Sequence, residues 1–429
     1  MNKSFKQMNE NELKSLISDL EKEYVDIKAK KLELNMARGK PNFDQLDLSM
    51  DMLNVINSQS QLVKNMDYRN YGILDGIDEA KELFAELLDV TTDEITVFGN
   101  SSLNIMFDQI SRGYTHGYLG EKPWCQEDEV KFLCPVPGYD RHFAITEHFG
   151  IKMIPVPLLE DGPDMDMVEE YVNNDKSVKG IWCVPQYSNP SGVTYSLDVV
   201  KRFASLKPAA KDFRIFWDNA YCLHHLYNDK QDHVANIIQL CKENDNADIV
   251  FEFCSTSKVT FPGSGVAALA CSIDNKKDVL KHMTVQSIGH DKINQLRHVE
   301  YFKNAEGVKK HMEKQADVLR PKFEMVEKIL SEQLSGLDIG TWSHPLGGYF
   351  ISFNALNGCA KDIIEACKQA GAVLTNAGAT YPYGNDPEDS NIRIAPSYPS
   401  VDELKQAALL FALCVKLVSA KKILKEKSC

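Results

Sequence analysis

One lysine sits where lysines are costly. Phe251–Lys258 (FEFCSTSK) reads as a buried strand that opens into Ser255, Thr256 and Ser257, then Lys258, then Phe261-Pro262-Gly263. A cationic amine at the end of an apolar strand pays a desolvation penalty. That penalty lowers its pKa and makes it a nucleophile able to form a Schiff base. The neighbouring hydroxyls suit a phosphate. The plain alternative is a loop-edge lysine reaching solvent.

A carboxylate provides the second clue. Asp218 follows the run FRIFW and precedes Asn219-Ala220-Tyr221, forty residues before Lys258. That spacing accommodates one helix and one strand, so the two can end on neighbouring strands. Ligands of open α/β sheets bind outside the carboxyl ends of such strands. An Asp capping the next helix is the simpler reading.

Four further segments have the same character. Asn189 lies in Asn-Pro-Ser-Gly after GIWCV, which is first of all a turn. Ser101 and Ser102 open a helix after EITVF, where free amides make an anion site or an ordinary cap. Tyr139 and His142 stand three apart after another strand, with Arg141 between them. Arg393 lies inside an apolar strand, NIRIA; a buried arginine needs an anion, either a ligand carboxylate or a structural partner.

The elements that must position these residues follow from hydrophobic pattern. Continuous apolar runs at Glu94–Phe98, Val130–Cys134, Lys152–Val156, Gly180–Val184, Phe213–Trp217, Ile249–Phe253 and Val266–Ser272 predict strands buried on both faces. Helical patterns such as Ile77–Leu88 and Leu197–Leu206 alternate with them. The fold class is therefore α/β, with a mostly parallel seven-stranded sheet flanked by helices. An amphipathic helix is expected over 11–34, ending at Ala37-Arg38-Gly39-Lys40-Pro41. A long helical stretch from Val299 to Leu334 breaks the alternation. YFISFN, a helix, a short strand and a final helix then predict a smaller α+β domain, and the basic KKILKEKSC reads as a solvated helix end.

Composition bounds the class. The chain has 429 residues, 43% hydrophobic and 25% charged, with a net charge of −13. Such an acidic chain is poorly suited to nucleic acid. No apolar run approaches the ~20 residues needed to span a bilayer, and the polar N-terminus does not read as a signal peptide. Eleven scattered cysteines without C-x-x-C spacing fit reduced thiols in a cytoplasmic enzyme.

Together, Asn189, Asp218, Tyr221 and Lys258, in this order and after strands, resemble the fold-type-I, pyridoxal-phosphate-dependent aminotransferases. ARGKP near the start and IGHDKINQLRH at 288–298 are similar to a divergent bacterial-type aspartate aminotransferase group. The resemblance covers nearly the whole chain and implies a homodimer with shared active sites. It divides the chain into 1–48, packing with the small domain, a large cofactor domain at 49–320 and a small domain at 321–429.

The resemblance also implies roles. Lys258 would carry pyridoxal 5′-phosphate and shuttle a proton, and Asp218 would pair with the pyridinium nitrogen, backed by His142. Asn189 and Tyr221 would hydrogen-bond the ring's O3′, and Tyr139 would stack on the ring. Ser101, Ser102, Ser255 and Ser257 would hold the phosphate, joined by Tyr71 from across the dimer interface. Arg393 would clamp the substrate α-carboxylate, with Gly39 lining the same pocket. One departure stands out: the family's phosphate-binding arginine, eight residues after the lysine, is Val266 here.

The implied reaction is ping-pong transamination between an amino acid and a 2-oxo acid, L-aspartate and 2-oxoglutarate on the subgroup resemblance. Arg38, Arg141 and Lys292 are the candidate cations for the distal carboxylate. An aromatic or kynurenine-type aminotransferase, or an amino-acid lyase, remains open on the same scaffold. Three weaker readings are set aside. Gly263-Ser-Gly265 fits a dinucleotide fingerprint, but a strand follows where a helix is needed. His224, His225 and His233 lack metal-ligand spacing and read as a surface cluster. A ligand-sensing regulator would need a DNA-binding segment ahead of Arg38, and few residues precede it.

Overall fold

The computed structural model describes residues 3–64 and 66–428. Among them the strands are β1 (Leu34–Asn35), β2 (Ile95–Val97), β3 (Lys131–Val136), β4 (Lys152–Leu159), β5 (Gly162–Pro163), β6 (Val178–Cys183) and β7 (Arg214–Asp218). They continue with β8 (Val250–Ser255), β9 (Ala267–Cys271), β10 (Gly340–Trp342), β11 (Ile351–Ala355), β12 (Ala372–Val373) and β13 (Asn391–Ile394). All seven apolar runs become strands of one sheet, ordered β2-β9-β8-β7-β6-β3-β4-β5. Its central strands β8, β7, β6, β3 and β4 run parallel, whereas β9 and β5 are antiparallel to their neighbours. The sheet has eight strands rather than seven, because Gly162–Pro163 turns back onto Leu158 and Leu159.

Helices cover both faces, so every residue of β6, β7 and β9 is buried. Strand alternation splits β7 between two cores. Ile215 and Trp217 pack with Phe203 on one face, and Phe216 packs with Trp182 and Phe251 on the other. Burying each such side chain contributes roughly 1.5–3 kcal/mol. Asp218 has the parity of Phe216 and emerges on the Trp182 side.

Two helices differ from their expected bounds. The first is capped by Asn9 and Glu12 but ends at Lys28, not at residue 34. Lys31 takes a φ of 51°, and Leu34–Asn35 then pairs with Ala372–Val373. Ladder hydrogen bonds to a distant strand outweigh the helical pattern there. The stretch from Val299 onward breaks at Lys303, with a φ of 68°, and Asn304 caps a new helix over Ala305–Leu334. That helix runs without interruption across residue 320.

The C-terminal part contains the antiparallel sheet β10-β11-β13 and the helix Val401–Lys427. The N-terminal segment packs onto it: Phe5 and Leu13 share a core with Phe353 and Phe411, and Leu20 meets Leu413 and Leu417. Gly265 leads into β9 rather than a helix, so no dinucleotide loop forms. No described helix is long and apolar enough to cross a membrane.

Candidate active site

A cavity of about 630 Å³ opens where β7 ends and the chain leaves β8, closed on its far side by β13 and the Arg38–Lys40 segment. Its wall includes Lys258, Asp218, Tyr221, Asn189, Tyr139 and Arg393. Residues scattered over 250 positions in sequence thus share one space, because parallel strands deliver their C-terminal ends to one edge.

Asp218 is the last residue of β7 and is buried. His142 Nε2 lies 3.0 Å from its Oδ2. The imidazole, from the helix Asp140–His148, is held flat on Trp182 with centroids 4.4 Å apart and planes 10° apart. Asp218 Oδ1 is buried without a hydrogen-bond partner in the described structure. An orphaned carboxylate oxygen on a cavity wall calls for a donor from a ligand.

Lys258 follows β8 by three residues, and its ammonium lies 4.9 Å from the Tyr221 ring centroid and 5.8 Å from that of Tyr349. Removal from water pulls its pKa below the usual lysine range; Asp218 opposes this and Arg393 reinforces it. Tyr221 stacks on Tyr349 at 6.1 Å. Its phenol is pushed up by burial first, then by Tyr139 and Asp218. Tyr139 meets His142 edge-on at 4.8 Å, and burial with Asp218 and Asp140 raises its phenol to about 12.

Arg393 projects from β13 and is 8% exposed. Its Nη1 donates to Asp140 Oδ1 at 2.8 Å and to Asn189 Oδ1 at 3.3 Å, and its Nη2 to Thr375 Oγ1 at 3.3 Å. Phe350 lies beneath the guanidinium, 4.8 Å from centroid to carbon. Gly39 lets the chain pass over that ring: a Cβ there would fall 2.1 Å from Phe350 Cζ. Arg38 and Arg141 are exposed on the same wall.

The four serines lie where β2 and β8 end. β2 and β8 both pair antiparallel with β9, so their C-terminal ends leave the same edge. Ser101 caps the helix Ser102–His116, and Ser257 Oγ donates to the Asn100 carbonyl at 2.9 Å. Asn100 in turn holds the Pro262 carbonyl at 3.3 Å. Val266 is core. A base the sequence reading missed stands near this loop. Arg297, from the helix Lys292–Phe302, donates from Nη2 to Ser264 Oγ at 2.5 Å, and its Nε is buried without a partner. Its signal lay in IGHDKINQLRH, where only the motif and not this side chain was singled out. Asp140, beside Tyr139, was missed in the same way.

Two residues, Lys292 and His224, lie elsewhere than expected. Lys292 is buried off the cavity wall and donates to the Gly72 carbonyl at 3.0 Å, since the 287–292 segment packs on the Gly72 turn. Tyr71, expected to act across a dimer interface, is 77% exposed and does not line this cavity. His224 is not a surface residue: it is buried between Tyr221 and Tyr349. Burial and then Lys258 depress its pKa to about 3. His225 Nδ1 lies 2.7 Å from the Tyr187 hydroxyl, and among the described residues no group of three or more His, Cys, Asp or Glu side chains could hold a metal.

The chain is similar to known proteins over nearly its whole length. An aspartate aminotransferase of Corynebacterium glutamicum is 45% identical over 404 residues, covering 94% of this chain and 93% of that protein. The crystal structure of an aspartate transaminase from C. glutamicum superposes with a TM-score of 0.95 at 43% identity, covering 98% of this chain and 99% of the other. The α-aminoadipate aminotransferase of Thermus thermophilus, complexed with N-(5′-phosphopyridoxyl)-L-leucine, shares the fold at a TM-score of 0.74 and 17% identity, covering 92% and 95%. The family model described as aspartate amino-transferase matches residues 8–427. With the match running through every element that builds the cavity, the chain belongs to the aspartate amino-transferase family.

Proposed function

We propose that this aminotransferase uses pyridoxal 5′-phosphate to exchange the amino group of L-aspartate with 2-oxoglutarate, yielding oxaloacetate and L-glutamate. The observation that carries the reading is the pair Asp218 and Lys258 on one wall. An orphaned buried carboxylate oxygen suits a protonated ring nitrogen, and a desolvated amine suits an aldehyde. The same residues therefore fit the cofactor. When bound, it supplies an electron sink for charge developing at the substrate Cα.

The chain's own residues do the rest. Asp218, fixed by His142, would hold the ring nitrogen's proton. Tyr139 would cover one ring face, and Asn189 and Tyr221 would donate to the ring hydroxyl oxygen. Lys258 Nζ, short of water and biased toward the neutral amine, would take the proton from the substrate Cα and return it. Arg393 would orient the α-carboxylate, placing the Cα–H bond toward that amine. Ser101, Ser102, Ser255 and Ser257 would hold the phosphate, with Arg297 in place of the absent arginine.

Aspartate needs a second cation. Arg38 and Arg141 are on the wall and Lys292 is not, so the first two are favoured within one subunit. A homodimer is part of the proposal. Tyr71, Phe43, Val285 and Ile288 are aromatic and apolar side chains left exposed at 77%, 75%, 92% and 63%, and a second copy that receives Tyr71 would cover such side chains.

The test is the visible spectrum of the purified protein. A band that moves to the near-UV with aspartate alone, and returns with 2-oxoglutarate, is expected. A band unmoved by aspartate but moved by aromatic amino acids would overturn the substrate assignment.

A further inference from the structure

One wall residue of the cavity, Asp140, is a carboxylate held on the guanidinium proposed to bind the substrate carboxylate. Asp140 Oδ1 accepts from Arg393 Nη1 at 2.8 Å. The other partners of this guanidinium, Asn189, Thr375 and the Phe350 ring, are all neutral. A buried guanidinium without a counter-charge is costly, and Asp140 supplies that charge to Arg393.

The fork geometry makes the two carboxylates rivals. An arginine grips a carboxylate through two parallel N–H groups. Arg393 Nε is buried without a partner, and at the Nη1/Nη2 end Asp140 already occupies Nη1. A ligand that grips the Nη1/Nη2 end must take that donor from it. Asp140 is also the partner best able to yield. Its side chain is 32% exposed, whereas Asn189 is buried. It is the first residue of the helix Asp140–His148, where backbone amides favour an anion after release, and the exposed Arg141 is its neighbour.

We propose that Asp140 is an internal stand-in for the substrate carboxylate, a positioning residue that each carboxylate ligand must displace from Arg393. The inference rests on the assignment of Arg393 as the α-carboxylate clamp. It gives the site a selectivity filter. A ligand with an α-carboxylate replaces one anion with another, but an amine lacking it gains nothing by entering and leaves the Arg393–Asp140 pair closed.

The test uses the PLP-loaded protein and maleate, a non-reacting dicarboxylate, with binding read by absorbance and calorimetry. Asp140→Asn removes the competing charge and should tighten maleate about tenfold. It should also lower KM for aspartate and 2-oxoglutarate alike, with kcat changed less than about threefold. Asp140→Glu keeps the anion and should remain near wild type. Displacement acts at contact distance, so the Asp140→Asn advantage should persist in about 0.5 M salt, where longer-range fields are screened. Unchanged or weaker maleate binding in Asp140→Asn, or an advantage that disappears in salt, would overturn the proposal. Arg393→Lys separates the two claims. If it fails to weaken maleate, Arg393 is not the clamp, whatever Asp140 does.

Discussion

Asp218 presents two unlike oxygens: Oδ2 lies 3.0 Å from His142 Nε2, while Oδ1 is buried with no partner. His142 cannot rotate away, because it lies stacked on Trp182. The carboxylate is thus fixed in direction with one oxygen reserved. Partners that orient a metal-ligating side chain are typically worth about 10–100-fold in activity, and His142 orients Asp218 in the same manner. His142→Ala should lower kcat about 10–100-fold with a much smaller change in KM. An unchanged kcat would remove His142 from this role.

Lys258→Ala should abolish the visible band of the bound cofactor and reduce turnover about 10³-fold or more. The protein should still fold, since the side chain ends in a cavity rather than in packed core. Absorbance and thermal melting check both statements. A retained band would send the search to another amine.

Arg297 donates to Ser264 in the loop after Lys258. Arg297→Gln should weaken pyridoxal phosphate about tenfold or more, as expected for losing a charge-assisted contact. Equilibrium titration of the cofactor-free protein reads this directly. An unchanged Kd would leave the phosphate to the serines and backbone amides.

Arg38 and Arg141 differ in origin but share the cavity wall. Replacing the one that binds the distal carboxylate by Ala should raise KM for aspartate about tenfold or more, and KM for alanine far less. Equal effects on both amino acids would exclude that arginine.

Glu252, one strand over from Asp218, is buried and accepts from Asn219 Nδ2 at 2.9 Å. Burial raises its carboxyl to about 7 against the opposing pull of Asn219. A carboxyl whose folded pKa lies above its unfolded value stabilises the fold fully below the unfolded value and loses that contribution as pH rises through about 7. Glu252→Gln cannot ionise, so its advantage over wild type should grow between about pH 4.5 and 7 and reach on the order of 3 kcal/mol at pH 8. Thermal melts across this range check the prediction; a mutant–wild-type difference independent of pH would contradict it.

Much of this site is legible in the sequence for a physical reason. A parallel sheet buried on both faces writes its strands as apolar runs, and polar residues at their ends stand out against them. Lys258, Asp218 and Asn189 are each found this way, and the structure brings all three to one wall. Helix ends were less legible. Residues 29–34 carry a helical pattern, but their backbone finds better partners in Ala372–Val373, a choice that no local period encodes.

The sequence by itself determined the seven core strands, their alternation with helices and the chemical types placed at their ends, because periodicity and composition act over a few residues. Only the tertiary structure decided which of those groups meet. Arg393 and Asp140 lie 253 residues apart and share a hydrogen bond; Asp218 and His142 lie 76 apart. Arg297 reaches Ser264, while Lys292, on the same helix, turns to Gly72. Charge pairing acts through space between side chains that packing has already brought together, so these partners became fixed only once the sheet and the C-terminal strands had closed around the cavity.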